Sequence, residues 1–201
     1  MLQWKKLVLI LLLPCSQKEV IMQTIRFWVE TLKLLPCAAT VFLAYAKMGY
    51  YPWYKATSAI GSYYKEKKKL NARVLVEYFW KFIPIGTLMC TVDSGWLPVD
   101  DVFPQQMQKI RQADTRLGYF GKFAVIPFMH GRRTGQRLIR RAKEWAIEEQ
   151  IDHVVIIVNP KHESYYRTMG FHEINQSKGA PGLDKAPAVL MGVSSKEFFR
   201  Q

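Results

Sequence analysis

The segment that most constrains the fold is 119–158. Residues 151–158 are almost wholly apolar, the pattern of a strand covered on both faces. Before them, 134–149 repeats apolar residues at helical spacing: Leu138, Ala142, Trp145 and Ala146 share a face at i, i+4, i+7 and i+8. Residues 119–126 are rich in strand formers and end at Pro127. Strand, loop, helix and strand in this order predict a βαβ unit whose two strands are parallel and central.

The flanking segments extend this unit into an α/β fold with a mixed sheet. Residues 24–30 read as a strand and 34–48 as a helix with a broad apolar surface, closed by Gly49. The stretch 50–70 is aromatic and basic, and its Lys65–Lys69 cluster is read as a solvated face. Residues 72–82 and 87–92 predict an antiparallel hairpin, with Pro84-Ile85-Gly86 as its turn and Val74, Val76, Tyr78 and Trp80 facing one way. A short helix is expected at 102–112, another at 163–169, and strands at 171–174 and 188–193. No linker divides the chain, so 22–201 is expected to be a single domain.

A chain that is 49% hydrophobic and 22% charged can bury a core, which excludes a disordered or low-complexity protein. No apolar run reaches the roughly 20 residues of a spanning helix. Cys15, Cys37 and Cys90 have neither disulfide-framework nor metal-site spacing, and His130, His153 and His172 have no metal-ligand spacing, so no metal is expected. Lys and Arg number 29 against 16 Asp and Glu, a net charge of +13 that attracts polyanions. Residues 1–21 place Lys5 and Lys6 before an apolar run. Three readings stay open for them: an over-long reading frame with Met22 as the start, a membrane-surface extension, or a secretory signal. The expected location is cytoplasmic, with peripheral contact to the inner membrane through 1–21 as an option.

The loop after the 119–126 strand leads directly into the helix, and exposed amides at a helix N-terminus form a ready anion site. Its candidate residues are Val125 at the strand end, then His130, Gly131, Arg132, Arg133, Thr134 and Gly135. Arg132, Arg133, Arg137, Arg140, Arg141 and Lys143 gather six cations beside it. Arg133, Arg137, Arg140 and Arg141 lie opposite the apolar face of the helix. They are either solvated surface or a dock for an acidic partner.

This loop resembles the acyl-donor signature of the GNAT acyltransferase superfamily, Gln/Arg-x-x-Gly-x-Gly/Ala at a helix start. His130 stands at the Gln/Arg position, Arg133 at the central glycine, and Gly135 matches. Tyr166-Arg167-Thr168-Met169-Gly170-Phe171 looks like the superfamily's Tyr-x-x-x-Gly-Phe element. A closer resemblance, over about 25–193, is to the FeeM-type long-chain N-acyl amino acid synthases, which are akin to acyl-homoserine lactone synthases. It rests on Ala46-Lys47-Met48-Gly49-Tyr50, Ile85-Gly86-Thr87-Leu88, Asp93-Ser94-Gly95-Trp96-Leu97-Pro98-Val99-Asp100, Phe123-Ala124-Val125, Pro160-Lys161-His162-Glu163-Ser164-Tyr165-Tyr166 and Ala186-Pro187-Ala188-Val189-Leu190.

The resemblance implies a GNAT-like mixed β-sheet with a central parallel strand pair, flanked by helices. It implies amide formation between a long-chain acyl thioester and the amine of an amino acid. Tyr166 falls on the tyrosine that protonates the leaving thiolate. His162 is the candidate base, since a free imidazole titrates near ~6.5, and the i, i+4 spacing places both on one helix face. Tyr119 stands near where that family usually carries a glutamate, which leaves open whether the amine-handling role has moved or gone. No cofactor is expected to be bound permanently. The co-substrate is acyl-phosphopantetheine on acyl carrier protein, or acyl-CoA. Acyl carrier protein, with one phosphate and an acidic surface, suits the bulky Arg133 and the cationic helix. No nucleic-acid module is present. Two other readings remain: an ordinary acyl-CoA-dependent acetyltransferase, and a non-catalytic scaffold that binds an acidic partner.

Overall fold

The computed structural model describes residues 34–47, 56–113, 115–129, 133–177 and 187–200. The strand expected at 24–30, the segment 1–21, Gly49, and His130, Gly131 and Arg132 lie outside the described residues. The elements are α1 (34–47), α2 (Ala56–Lys69), β1 (Arg73–Phe79), β2 (Ile83–Val92), α3 (Pro104–Arg111), β3 (Leu117–Val125), α4 (Thr134–Glu148), β4 (His153–Val158), α5 (Glu163–Arg167), β5 (His172–Ser177), β6 (Ala188–Ser194) and α6 (Ser195–Arg200). Single 3₁₀ turns at Pro127–Met129 and Pro160–His162 precede α4 and α5.

Six strands form one sheet in the order β1-β2-β3-β4-β6-β5. The pair β3–β4 is parallel and the other neighbours are antiparallel. The GNAT-like mixed sheet with a central parallel pair is therefore present. Both faces are covered, and alternate residues of each central strand enter different cores. Met89, Tyr119, Val155 and Leu190 point into one core with α1, α2 and α3. Leu88, Phe120, Val154, Ile156, Val189 and Met191 point into the other with α4 and Phe198 of α6. The unbroken apolar run of β4 follows from this double coverage.

Gly86 shows how closely α4 lies on the sheet. A Cβ built there would sit 2.9 Å from both Leu138 Cδ1 and Thr134 Cγ2. Gly86→Val should therefore lower stability by about 1–3 kcal/mol through overpacking, read as a lowered denaturant midpoint.

Several expectations are corrected. The hairpin turn is at Trp80–Phe82, not at Pro84-Ile85-Gly86, which lies inside β2. Pro84 is tolerated there because the ladder shifts register between Glu77 and Tyr78, opposite it. Trp80 thus belongs to the turn, while Val74 and Val76 alone pack on the α1–α2 side. Residues 56–69, to which the sequence reading assigns no element, are helical. Ile60, Tyr63 and Tyr64 pack inward at helical spacing, and the Tyr63 hydroxyl meets Thr87 Oγ1 at 3.3 Å. Lys67, Lys68 and Lys69 end this helix, where its dipole favours cations. Lys69 also caps the Trp96 ring at 3.0 Å, so the lysine cluster is partly packed. The chain finishes in α6, where no helix was expected, because Phe198 is buried against Phe120 and Phe171.

Candidate active site

Strands β3 and β4 pair from Leu117↔His153 to Phe120↔Ile156 and then part. Beyond Phe120, β3 continues on β2, with Ala124 against Thr87 and Val125 against Gly86. Beyond Ile156, β4 continues on β6, with Ile157 against Leu190 and Val158 against Val189. A fork opens between residues 121–125 and the end of β4. At its root β3 carries a bulge: Lys122 has a φ of 52°, and the register to β2 shifts between Thr87 and Met89. Such a bulge turns backbone amides out of the ladder, which makes them available to a ligand.

Aromatic rings line the fork. Phe123 stacks on Tyr165 at 6.2 Å and 9°. Tyr166 packs edge-on against Phe123, Tyr165 and Phe171. Tyr166 is half-buried, so its ring is anchored in the α4-side core. Burial pushes the Tyr165 phenol above the usual tyrosine range. Tyr165 and Phe123 also cover the first turn of α4. A Cβ on Gly135 would lie 3.0 Å from the Tyr165 hydroxyl and 3.2 Å from Phe123 Cζ, which explains the glycine there.

His162 is the N-cap of α5, with φ −109° and ψ 0°, and is half-buried. The helix starts only at Glu163, so the expectation that His162 and Tyr166 share a helix face is corrected: His162 precedes the helix. The 3₁₀ turn that carries it is set by Asn159, whose side chain accepts from the Lys161 N–H at 3.0 Å.

At the start of α4, Arg133 is exposed and Thr134 is buried. Arg133 has φ 58° and ψ 12°, the left-handed conformation that glycine adopts at least cost. The loop keeps the backbone shape of a glycine motif while carrying an arginine. Arg133→Gly should be more stable than Arg133→Ala by about 1 kcal/mol, in paired denaturant titrations, because only glycine relieves the strain.

The cationic face of α4 is not uniformly open. Arg137 Nε donates to Glu77 Oε2 at 3.0 Å, and Arg141 Nη1 donates to the Val76 carbonyl at 2.7 Å, with Glu77 Oε1 3.7 Å away. These two residues clamp α4 to β1 while part of each side chain stays exposed. Reversing their charges would strain the fold. Arg133 and Arg140 are exposed.

On the opposite side of β3, Glu66 of α2 pairs with Lys122 at 2.9 Å, directly at the bulge. Tyr119 is buried beneath, and burial, followed by the nearby Glu66, Tyr45 and Tyr166, raises its phenol well above the ordinary range. Sequence reasoning misses Glu66, because the charges of α2 mask its helical pattern and the contact spans distant positions. The Asp-Ser-Gly-Trp-Leu-Pro-Val-Asp stretch is scaffolding. Arg111 Nε donates to Asp93 Oδ2 at 2.5 Å and its terminal nitrogens to Asp100 at 2.6 Å. Asp93 also accepts from the Gly95 N–H, and Asp100 from the Leu97 N–H. Among the described residues, no group of three or more His, Cys, Asp or Glu could hold a metal ion. Among them, no helix is long and apolar enough to cross a membrane. Cys37 and Cys90 are buried and form no disulfide among the described residues.

Known proteins share this fold. The family model for the N-acyl amino acid synthase FeeM matches residues 37–194. The structure of FeeM, an N-acyl amino acid synthase from uncultured soil microbes, is similar with a TM-score of 0.69 and 22% identity, over 83% of this chain and 92% of that one. The ribosomal-protein-S18-alanine N-acetyltransferase from Escherichia coli is similar with a TM-score of 0.57 and 11% identity, over 81% and 88%. Naa20 from Chaetomium thermophilum, solved with a bisubstrate analogue, follows with a TM-score of 0.50 and 16% identity, over 71% and 76%. No curated protein matches the chain significantly. With the family match running from α1 to the end of β6, the chain belongs to the FeeM N-acyl amino acid synthase family and is an N-acyltransferase, an enzyme that moves an acyl group onto an amine.

Proposed function

We propose that the enzyme joins a long acyl chain, delivered as a thioester on acyl carrier protein, to the amine of an amino acid. The observation that carries this reading is the fork between β3 and β4, with a bulged strand on one side and Tyr166 at its mouth. The amine nitrogen attacks the thioester carbon, the C–S bond breaks, and an amide and a free thiol result. Amides released by the β3 bulge around Lys122 and Phe123 stabilise the developing oxyanion. His162 takes the proton from the amine, and Tyr166 gives one to the leaving thiolate. Val125 and the residues 130–135 hold the phosphate end of the donor at the start of α4.

The cationic face of α4 receives the acidic carrier. In this reading Arg133 and Arg140 make the contact, while Arg137 and Arg141 support it through Glu77. The apolar face of α1 lines the path of the acyl chain. A cytoplasmic location and contact of residues 1–21 with a membrane surface belong to the same reading. The left-handed backbone at Arg133 favours a second donor, acyl-CoA, because a glycine-like cradle suits a pyrophosphate.

Intact-mass spectrometry of lipid extracts from expressing cells tests the product, and an N-acyl amino acid is expected. Purified enzyme given the same acyl chain on carrier protein and on CoA tests the donor. Faster turnover on carrier protein, weakened by Arg133→Glu with Arg140→Glu and by salt, is expected. A clear preference for CoA selects the second reading, and no amide from either donor overturns both.

A further inference from the structure

The β1–β2 hairpin ends in an apolar tip that the proposed chemistry does not use. Trp80 is 77% exposed and Phe82 83%, and Tyr78 and Ile83 beside them are also exposed. Phe128, on the 3₁₀ turn after β3, is 73% exposed at the same end of the sheet, since Ile126 pairs with Ile85 of β2. Beneath the tip, Ile85, Ile126 and Met129 form a small core joined by Phe79. Trp80 stacks on Phe79 at 5.1 Å and 13°, so its ring is fixed rather than loose.

The turn also carries backbone strain. Trp80 has a φ of 51° and Lys81 a φ of 67°, and the Phe82 N–H donates to the Phe79 carbonyl across them. Tight hairpin turns with two such residues normally use Asn-Gly or Gly-Gly. Here a tryptophan and a lysine occupy the places where small residues would be more stable. Strain kept at an exposed position points to a use for the side chains that it presents.

The charge around the tip is one-sided. Residues 78–86 of the hairpin and 124–129 beside it contain no Asp or Glu, and Lys81 lies in the turn itself. Arg133, exposed at the start of α4 where Thr134 meets Gly86, adds a second cation nearby. The adjacent acid, Glu77, is engaged by Arg137 and Arg141. Tryptophan, tyrosine and phenylalanine interleaved with lysine are the composition of a membrane–water interface. A narrow convex tip suits insertion among lipid headgroups better than the broad, flat contact of roughly 800 Å² per partner that proteins use.

We infer that the β1–β2 hairpin tip is a membrane anchor, which inserts Trp80 and Phe82 into an anionic bilayer while Lys81 meets lipid phosphates. This inference concerns the surface, not the donor or the acceptor.

The test is co-sedimentation of the full chain with vesicles of phosphatidylcholine, with and without phosphatidylglycerol. Binding is expected to the mixed vesicles, less to phosphatidylcholine alone, and less at high salt. Two variants separate insertion from folding. Trp80→Asn/Lys81→Gly supplies the residues that the turn prefers, so its melting temperature should be equal or higher. Phe82→Ser leaves the turn unchanged. Each should lower the partition coefficient about ten-fold or more, the scale of removing one large apolar side chain from an apolar medium. Wild-type protein that ignores both vesicles overturns the inference. So do variants that bind like the wild type, which would put the contact on α4 or on residues 1–21. Unchanged vesicle binding together with lost turnover on acyl carrier protein would place a protein on the tip and overturn it as well. Vesicle binding without N-acyl amino acid formation would leave the anchor standing and reject the proposed reaction instead.

Discussion

Tyr166→Phe should lower kcat about 10²-fold, with KM and the melting temperature nearly unchanged. The substitution keeps the ring, and with it the edge-on contacts to Phe123, Tyr165 and Phe171. It deletes only the hydroxyl, the group that the proposed reaction uses as its acid. A thiolate leaves without help more easily than an amine does, so the loss belongs at the modest end of general-acid effects. His162→Ala should instead steepen the dependence of rate on pH, because solvent must then deprotonate the amine. Single-turnover measurement on an acyl thioester separates chemistry from product release. Full kcat in the phenylalanine variant, with chemistry limiting, would make Tyr166 a packing residue and leave the thiolate to water.

Arg111→Ala should cost about 3 kcal/mol of stability and lower the melting temperature by several degrees. Arg111 holds two carboxylates in one fork, and Asp93 is only 8% exposed. Truncation leaves both carboxylates largely buried without their cation, and it frees the 93–100 turn from α3. Asp93→Asn added to Arg111→Ala should recover part of the loss, since one of the stranded charges is then gone. A double variant no better than Arg111→Ala alone would show that lost packing, not stranded charge, sets the cost.

The central unit was legible in the amino-acid sequence because its physics is local. Burial on both faces writes β4 as an apolar run, and α4 carries a clean stripe ending in Trp145 and Ala146. The hairpin turn was misplaced because composition pointed the wrong way. Pro84 and Gly86 look like turn residues but serve a register shift and a close helix contact, while the true turn uses Trp80 and Lys81. Helix α2 was hidden by its lysines, although Ile60, Tyr63 and Tyr64 carried the helical spacing. In the candidate site, Tyr166 and the start of α4 were legible as short motifs. The Glu66–Lys122 and Glu77–Arg137 pairs were not, because each joins residues far apart in the chain, and only the sheet brings them together.

The fork has a mechanical consequence. The sheet is two three-stranded leaves, β1-β2-β3 and β4-β6-β5, joined by only four residue pairs between Leu117 and Phe120. Helix α4 approaches the first leaf most closely and also shares a core with β4, β6 and Phe198, whereas α5 and Tyr166 follow from the second leaf. Where the ladder ends, side chains alone hold the leaves together: Phe123 of the first meets Tyr165 and Tyr166 of the second across the gap. In the proposed reaction an acyl arm seated in that gap would lie against these rings, so the same contact that closes the sheet would set how closely Tyr166 approaches the thioester sulfur.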